Sequence, residues 1–293
     1  VQTPELNYAM GVLGGNVEGS YIADTGSELT LEDTEMSAEN LIWLLNQAVK
    51  SVPGAASTFA FTFPTTSANT IKTFTWEFAT ATQEYEFAYG FCSKFSISGD
   101  VNSNNGRMMV NAIINGRAAS ASTATGSLAP LTNHLPLNIN AASIKIDAVG
   151  TAAGTASATT GFLKGFSLDC ETGWSMDNAR YADGRSTKDF STLTFGDYKL
   201  TGTIRAAFGS TAVTQLANAR AGTPIVMQIN CAGASSRSVK FNLPVIFTEA
   251  PELGNDANGL HIVEFPFAVG YSRTSTAQGP EINITASAST TLS

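Results

Sequence analysis

The sequence predicts a mainly β protein, a duplicated antiparallel β-sandwich or barrel with one short flanking α-helix per half. Most of its apolar residues recur two apart in short runs between Gly-, Asn- and Ser-rich turns, the pattern of half-buried strands. The segment 90–98 is echoed at 161–169, with Gly, Phe and Ser at matching places. Each half also contains one stretch in which apolar residues recur at helical spacing.

The first half begins with an alternating strand at 28–32, which places Leu29 and Leu31 on one face and acids on the other. Ser37 predicts the N-cap of a helix over 37–50, which Pro53 and Gly54 would stop. The apolar face of this helix comprises Leu41, Leu44, Leu45 and Val49. The remaining predicted strands are 58–63, 70–79, 84–98, 107–114 and 142–149.

The second half repeats this order. Its helix is predicted over 210–221, with Val213, Leu216 and Ala217 on one face and Gly222 at its end. Its predicted strands are 161–169, 198–208, 225–231, 239–248 and 260–271. The predicted organisation is an N-terminal arm (1–20), a first half (21–149) with a small-residue loop at 116–136, a linker (150–160), a second half (161–277) and a C-terminal arm (278–293). The two arms and the loop are too poor in large apolar residues to order themselves, so we expect them to contact neighbouring copies.

Composition excludes several classes of function. The chain of 293 residues is 43% hydrophobic and only 14% charged, with a net charge of −8. An acidic protein has no field that attracts phosphates, so specific nucleic-acid binding is disfavoured. The sequence shows no long apolar run of membrane-spanning length and no signal-peptide pattern, so we expect folding in a cytoplasm.

No catalytic, cofactor or metal site is predicted. The two histidines, His134 and His261, lie far apart in the sequence, and the three cysteines, Cys92, Cys170 and Cys231, sit in apolar strand patterns that indicate buried thiols. Acids cluster between Asp24 and Glu39 without a Lys or Arg. Their spacing fits neither a calcium loop nor an acid–base pair, so they are either a solvated strand face or a negatively charged inner wall.

One loop combines aromatic and basic side chains, the residue types that interfaces favour. Its candidate inter-subunit residues are Trp174, Arg180, Tyr181 and Arg185. An ordinary surface loop is the alternative interpretation.

Several segments resemble the tail tube, or major tail, proteins of long-tailed bacteriophages. In the second half these are Phe166-Ser167-Leu168-Asp169, the Arg-Tyr loop, the strand at 197–203 and the short helix that follows. In the first half they are Asn115-Gly116-Arg117 and the strand at 142–147. The strand at 264–271 resembles the closing strand of the family.

The resemblance implies a non-enzymatic virion protein that forms rings, which stack into a tube through which the genome leaves without specific binding. It also implies tape-measure, terminator and distal tail proteins as partners. Family rings are commonly hexamers of a single unit, so a duplicated chain would close as a trimer with pseudo-sixfold symmetry, with a plain hexamer as the alternative. Glu28 and Glu32 are the candidate acidic wall of the channel. Another β-rich virion protein, such as a capsid decoration or tail terminator protein, and a carbohydrate-binding β-sandwich or adhesin remain open alternatives.

Overall fold

The computed structural model describes residues 4–8, 17–22, 26–53, 57–63, 71–79, 82–123, 135–176, 190, 192–249, 251, 253–255, 259, 261–270 and 279–286. Two α-helices lie in these ranges, α1 (Ala38–Asn46) and α2 (Ser210–Ala221). The strands are β1 (Pro4–Tyr8), β2 (Val17–Ile22), β3 (Ser27–Glu35), β4 (Lys50–Pro53), β5 (Thr58–Thr62), β6 (Phe74–Ala79), β7 (Glu84–Asp100), β8 (Met109–Gly116), β9 (Ser120–Ser122), β10 (Ala142–Ala148), β11 (Leu163–Glu171), β12 (Trp174–Ser175), β13 (Thr194–Phe195), β14 (Lys199–Ala207), β15 (Ile225–Ala232), β16 (Ser238–Phe247), β17 (Leu253–Asn255), β18 (His261–Val269) and β19 (Glu281–Thr285).

Most of these strands form one antiparallel sheet that folds over into two layers. The first layer has the order β3-β8-β7-β11-β14-β18, and the second has the order β4-β5-β19-β16-β15-β10. The layers join where residues 245–247 of β16 pair with 267–269 of β18. The rings of Phe166 on β11 and Phe241 on β16 have centres 5.2 Å apart, although β14 and β18 separate these strands along the sheet. The two layers therefore face each other as in a β-sandwich, and the predicted mainly β class is confirmed.

One hydrophobic cluster fills the space between the layers and includes most of α1. The helix contacts β4, β5 and β19 and is buried on nearly every side. Its N-cap is Ser37, as predicted, because the Ser37 hydroxyl accepts a hydrogen bond from the Asn40 N–H at 3.1 Å. The helix ends at Asn46, before the predicted position 50, and the carbonyl of Gln47 instead accepts the N–H of Cys92 on β7.

Helix α2 has the predicted bounds, but of the apolar face named for it only Leu216 packs against the hydrophobic cluster, and Val213 and Ala217 are exposed. Gly222 follows it in the left-handed conformation (φ 62°), which suits a residue without a side chain. Val213 is 52% exposed, whereas Ala212 and Gln215 are buried. The apolar side chains of α2 form no continuous stripe, so its sequence does not define the face that packs.

The echoed segments lie side by side. Ile97 of β7 pairs with Leu168 of β11, and the two strands run antiparallel at the centre of the first layer. In the second layer the predicted halves interleave, because β10 pairs with β15 and β5 pairs with β19.

The structure corrects the assignment of 278–293 as an arm for the part it describes. Residues 281–285 form β19 between β16 and β5, with Ile282 and Ile284 fully buried. The alternation of Ile with Glu, Asn and Thr is the strand signal that the arm interpretation overlooked. Parts of the other two segments also form strands, namely β1 and β2 in the predicted N-terminal arm and β9 in the loop at 116–136.

Candidate functional site

The first layer presents a solvent-facing side that we call the polar face. Alternate residues of its strands turn apolar side chains inward and polar ones outward. The outward residues include Glu28, Thr30 and Glu32 on β3, Asn111 and Asn115 on β8, Lys94, Ser96 and Ser98 on β7, Ser167, Asp169 and Glu171 on β11, Thr201, Thr203 and Arg205 on β14, and Glu264 and Pro266 on β18. Met109, Ile113 and Phe91 are apolar exceptions on this face, and Phe91, which pairs with Asn115, is buried against Phe190.

Glu28 and Glu32 both lie exposed on β3, at one edge of the polar face. Glu28 pairs with Asn115 of β8, whereas Glu32 falls in a bulge where Asp33 takes a left-handed conformation (φ 45°). Beside the bulge is a hollow of about 350 Å³, lined by Glu32, Asp33 and Lys94. The predicted pair of acids therefore shares one solvated face.

Acids outnumber bases on the described part of the polar face. The acids are Glu28, Glu32, Glu35, Asp100, Asp169, Glu171 and Glu264, and the bases are Lys94, Arg107, Lys199 and Arg205. Arg205 Nη1 lies 2.8 Å from Asp100 Oδ2, and its Nε lies 3.7 Å from Glu264 Oε1. Lys94 Nζ is 3.8 Å from Glu171 Oε1, and Lys199 lies opposite Glu171 in the strand register. Each of these bases therefore has an acid beside it.

A second hollow, of about 320 Å³, lies further along the same face. Asp100, Arg205 and Glu264 line it together with Arg107, which forms an ion pair with Glu35. The charges along this end of the strands thus alternate in sign.

Strand β3 is an open edge of the sheet. Among the described residues its only strand partner is β8, so one side of this nine-residue strand has no neighbouring strand there. The edges of the second layer are less available, because β4 has only four residues and β10 is covered by Thr159, whose N–H donates to the Ile144 carbonyl at 2.8 Å. A long unpaired edge strand is a surface onto which another chain can pair.

The candidate inter-subunit loop is described only at its start. Trp174 of β12 pairs with Phe195 of β13, with ring centres 4.9 Å apart, and packs on a small cluster around Phe91 and Phe190. The indole N–H of Trp174 is buried without a hydrogen-bond partner among the described residues. Arg180, Tyr181 and Arg185 lie outside the described residues.

Beside this cluster is a group that sequence reasoning missed, which we call the Arg117–Tyr89 site (Tyr89, Arg117 and Phe190). The Arg117 guanidinium carbon lies 4.2 Å from the ring centre of Tyr89 and 5.8 Å from that of Phe190. Tyr89 is 40% exposed and takes a left-handed conformation (φ 61°) that is rare for a non-glycine residue. No sequence pattern indicates this stacking, although Asn115-Gly116-Arg117 is part of the family resemblance.

Among the described residues, the groups that most often carry reactions are not gathered into a site. His261 is exposed on β18, and His134 lies outside the described residues. Burial raises the pKa of the Cys231 thiol to about 12 and also raises those of Cys92 and Cys170, so these thiols are unreactive. In the described ranges no three His, Cys, Asp or Glu residues are grouped to hold a metal ion.

No protein-family model matches the chain, and no curated protein matches it. Within the described ranges, neither helix has the length and apolar character needed to span a membrane.

Proposed function

We propose that this protein is the tail tube subunit of a long-tailed bacteriophage, a structural protein whose copies form stacked rings around the channel through which the genome leaves. The observation that carries the proposal is a six-stranded layer with one polar, predominantly acidic face and an open edge at β3. Pairing of that edge with a neighbouring copy would carry the sheet across the subunit boundary, which removes the exposed edge.

The charges of the polar face suit a wall past which DNA slides. Binding to DNA comes chiefly from Lys and Arg side chains that neutralise phosphates. Here Arg205 and Lys94 are held beside acids, and Glu28 and Glu32 add unbalanced negative charge. A duplex in such a channel would meet repulsion rather than a series of binding sites.

Strand geometry favours a trimeric ring. Three six-stranded layers give about 18 strands, which at about 4.8 Å spacing and about 40° tilt close into a cylinder roughly 36 Å across. Side chains that extend about 5 Å inward on each side leave an open channel roughly 26 Å wide. This channel admits a duplex about 20 Å wide. Six such layers would give about 36 strands and a cylinder roughly 70 Å across, far wider than the cargo.

Electron microscopy of the purified protein tests the proposal. We expect stacked rings with threefold symmetry and a central hole of roughly 26 Å. Closed rings that never stack would favour a capsid decoration or terminator protein, and monomers that bind sugars on a glycan array would favour an adhesin. Rings with sixfold symmetry would overturn the trimer but leave the tube intact.

The acidic wall has its own test in phage particles. Replacing Glu28 and Glu32 by Lys would place free positive charge on the polar face, so we expect tubes to assemble but the genome to leave more slowly. The matched control is Glu84→Lys with Glu86→Lys, which changes net charge equally on β7 outside the polar face. Genome ejection at the normal rate by the Glu28 and Glu32 variant would show that these residues do not line the channel.

A further inference from the structure

Two unusual features lie at opposite ends of the same pair of strands. β7 and β8 pair from Phe91 and Asn115 at one end to Ser98 and Met109 at the other. The Arg117–Tyr89 site lies just beyond the first end, where the Arg117 N–H donates to the Ala88 carbonyl at 3.0 Å. The tight turn at 101–105 lies just beyond the second. Any head-to-tail stacking of copies along these strands brings the two features toward each other.

The Arg117–Tyr89 site presents an aromatic ring and part of an arginine side chain to solvent. Arg117 stacks on Tyr89 and is half-buried, and its Nε is buried without a hydrogen-bond partner in the described structure. Tyr89 is exposed in a left-handed conformation, and its ring makes an edge-on contact with that of Phe190, with ring centres 6.1 Å apart. Strained, exposed aromatic residues beside an arginine are typical of binding positions.

The turn is rigidly formed and presents polar side chains. The carboxylate of Asp100 accepts the Asn102 N–H at 2.8 Å, and the carbonyl of Ser103 accepts the Gly106 N–H at 2.8 Å. Gly106 is required there, because a Cβ atom would lie 2.4 Å from the side chain of Asn140. The exposed residues of the turn are Asn102, Ser103, Asn104 and Asn105. A turn that is already ordered loses little conformational entropy when it binds, so less of the binding free energy is lost.

The chemistry of the two features is complementary. A guanidinium group only donates hydrogen bonds, whereas the Asn and Ser side chains of the turn offer oxygen acceptors. The turn itself contains no Lys or Arg, and the nearby Arg107 is paired with Glu35. Because the two surfaces differ, their contact is heterologous. A stack of copies joined in this way keeps a free site at one end and a free turn at the other, so further copies can add without limit.

We propose that the Arg117–Tyr89 site receives the turn at 101–105 of a second copy of this chain, which belongs to the next ring of the stack. This inference rests on the proposed tube function and assigns its ring-to-ring contact.

Cross-linking tests the contact directly. Ala88→Cys places a thiol beside the site and Ser103→Cys places one on the turn, both at exposed positions. The native cysteines are buried and will not react with a short bis-maleimide linker. We expect cross-linked dimers when tubes form from a mixture of the two variants and none from either variant alone. Ser96→Cys, in the middle of the polar face, replaces Ser103→Cys as the matched control.

The outcomes separate this inference from the proposed function. One contrary result is that electron microscopy shows tubes while the mixture gives no cross-linked dimers, and another is that the Ser96 control gives as many dimers as the mixture. Either result would overturn the contact and leave the tube function standing. Absence of rings and tubes from the wild-type protein would overturn both.

A second measurement uses Arg117 itself. Arg117→Ala should raise the protein concentration at which rings stack by about tenfold, the size of effect typical for loss of one important interface arginine. Ring formation should not change. Lys94→Ala, which removes a base from the polar face, should leave the stacking concentration unchanged. An unchanged threshold for Arg117→Ala would overturn the role of Arg117.

Discussion

At the scale of single residues, the carboxylate of Asp147 accepts three hydrogen bonds. It lies at the end of β10 and is 6% exposed. Its Oδ1 accepts hydrogen bonds from the Thr155 hydroxyl at 2.6 Å and the Ala156 N–H at 2.7 Å, and its Oδ2 accepts one from the Gly154 N–H at 2.8 Å.

Asp147→Asn replaces one acceptor oxygen by an NH₂ group that would face a donor. We expect a loss of about 1–3 kcal/mol in the free energy of unfolding, measured with urea. Asp169→Asn, at an exposed position of β11, should cost less than about 0.5 kcal/mol.

The same carboxylate makes part of the stability depend on pH. Burial alone would raise the pKa of Asp147, but the hydrogen bonds from Thr155, Gly154 and Ala156 and the charge of Lys145 outweigh it and lower the pKa. A carboxyl group whose pKa is lowered by folding stabilises the protein above its unfolded pKa, about 3.9, and loses that contribution as the pH falls through the folded pKa. The difference between wild type and Asp147→Asn should therefore shrink below about pH 4. A difference that stays constant from pH 7 to pH 3 would contradict this assignment.

At the scale of elements, β19 links the two ends of the second layer. It pairs with β16 on one side and β5 on the other, and Ile284 is fully buried. Ile284→Ala leaves a cavity and should lower the free energy of unfolding by about 2–5 kcal/mol. The matched control, Asn283→Ala, removes a half-exposed side chain that donates a hydrogen bond to Glu281 and should cost less than about 1 kcal/mol. Equal costs for the two substitutions would show that β19 does not pack as described.

How much the sequence predicts also depends on scale. Alternation and capping predicted β3, α1 and the exposure of Glu28 and Glu32, because these signals are local. They could not predict that β5 pairs with β19, because alternation defines the face of a strand but not its neighbour. The Arg117–Tyr89 site was missed for the same reason, since a cation over a ring is a tertiary contact.

At the scale of the whole molecule, the two predicted halves complete each other. β15 of the second half pairs with β10 of the first half, and β5 of the first half pairs with β19 near the end of the chain. Arg237 and Glu39, 198 residues apart, form a buried ion pair with a distance of 2.6 Å between Nε and Oε1. Removing one partner of such a pair leaves an uncompensated charge in the interior. The pair therefore makes the packing of α1 depend on the turn between β15 and β16.

This interdependence predicts that the halves do not fold alone. A fragment of residues 161–286 lacks β10 and β5, so β15 and β19 would each have an unpaired edge above an exposed apolar face. We expect no cooperative transition for it by calorimetry, whereas the full chain should unfold in one transition. The matched control is the full chain cut by a protease at a site inserted between Ser157 and Ala158, which are both exposed. Because every strand is still present, the two pieces should remain together and melt as one. A cooperative transition in the isolated fragment would instead show that the second half is an independent domain, so that the duplication seen in the sequence would extend to the folding unit.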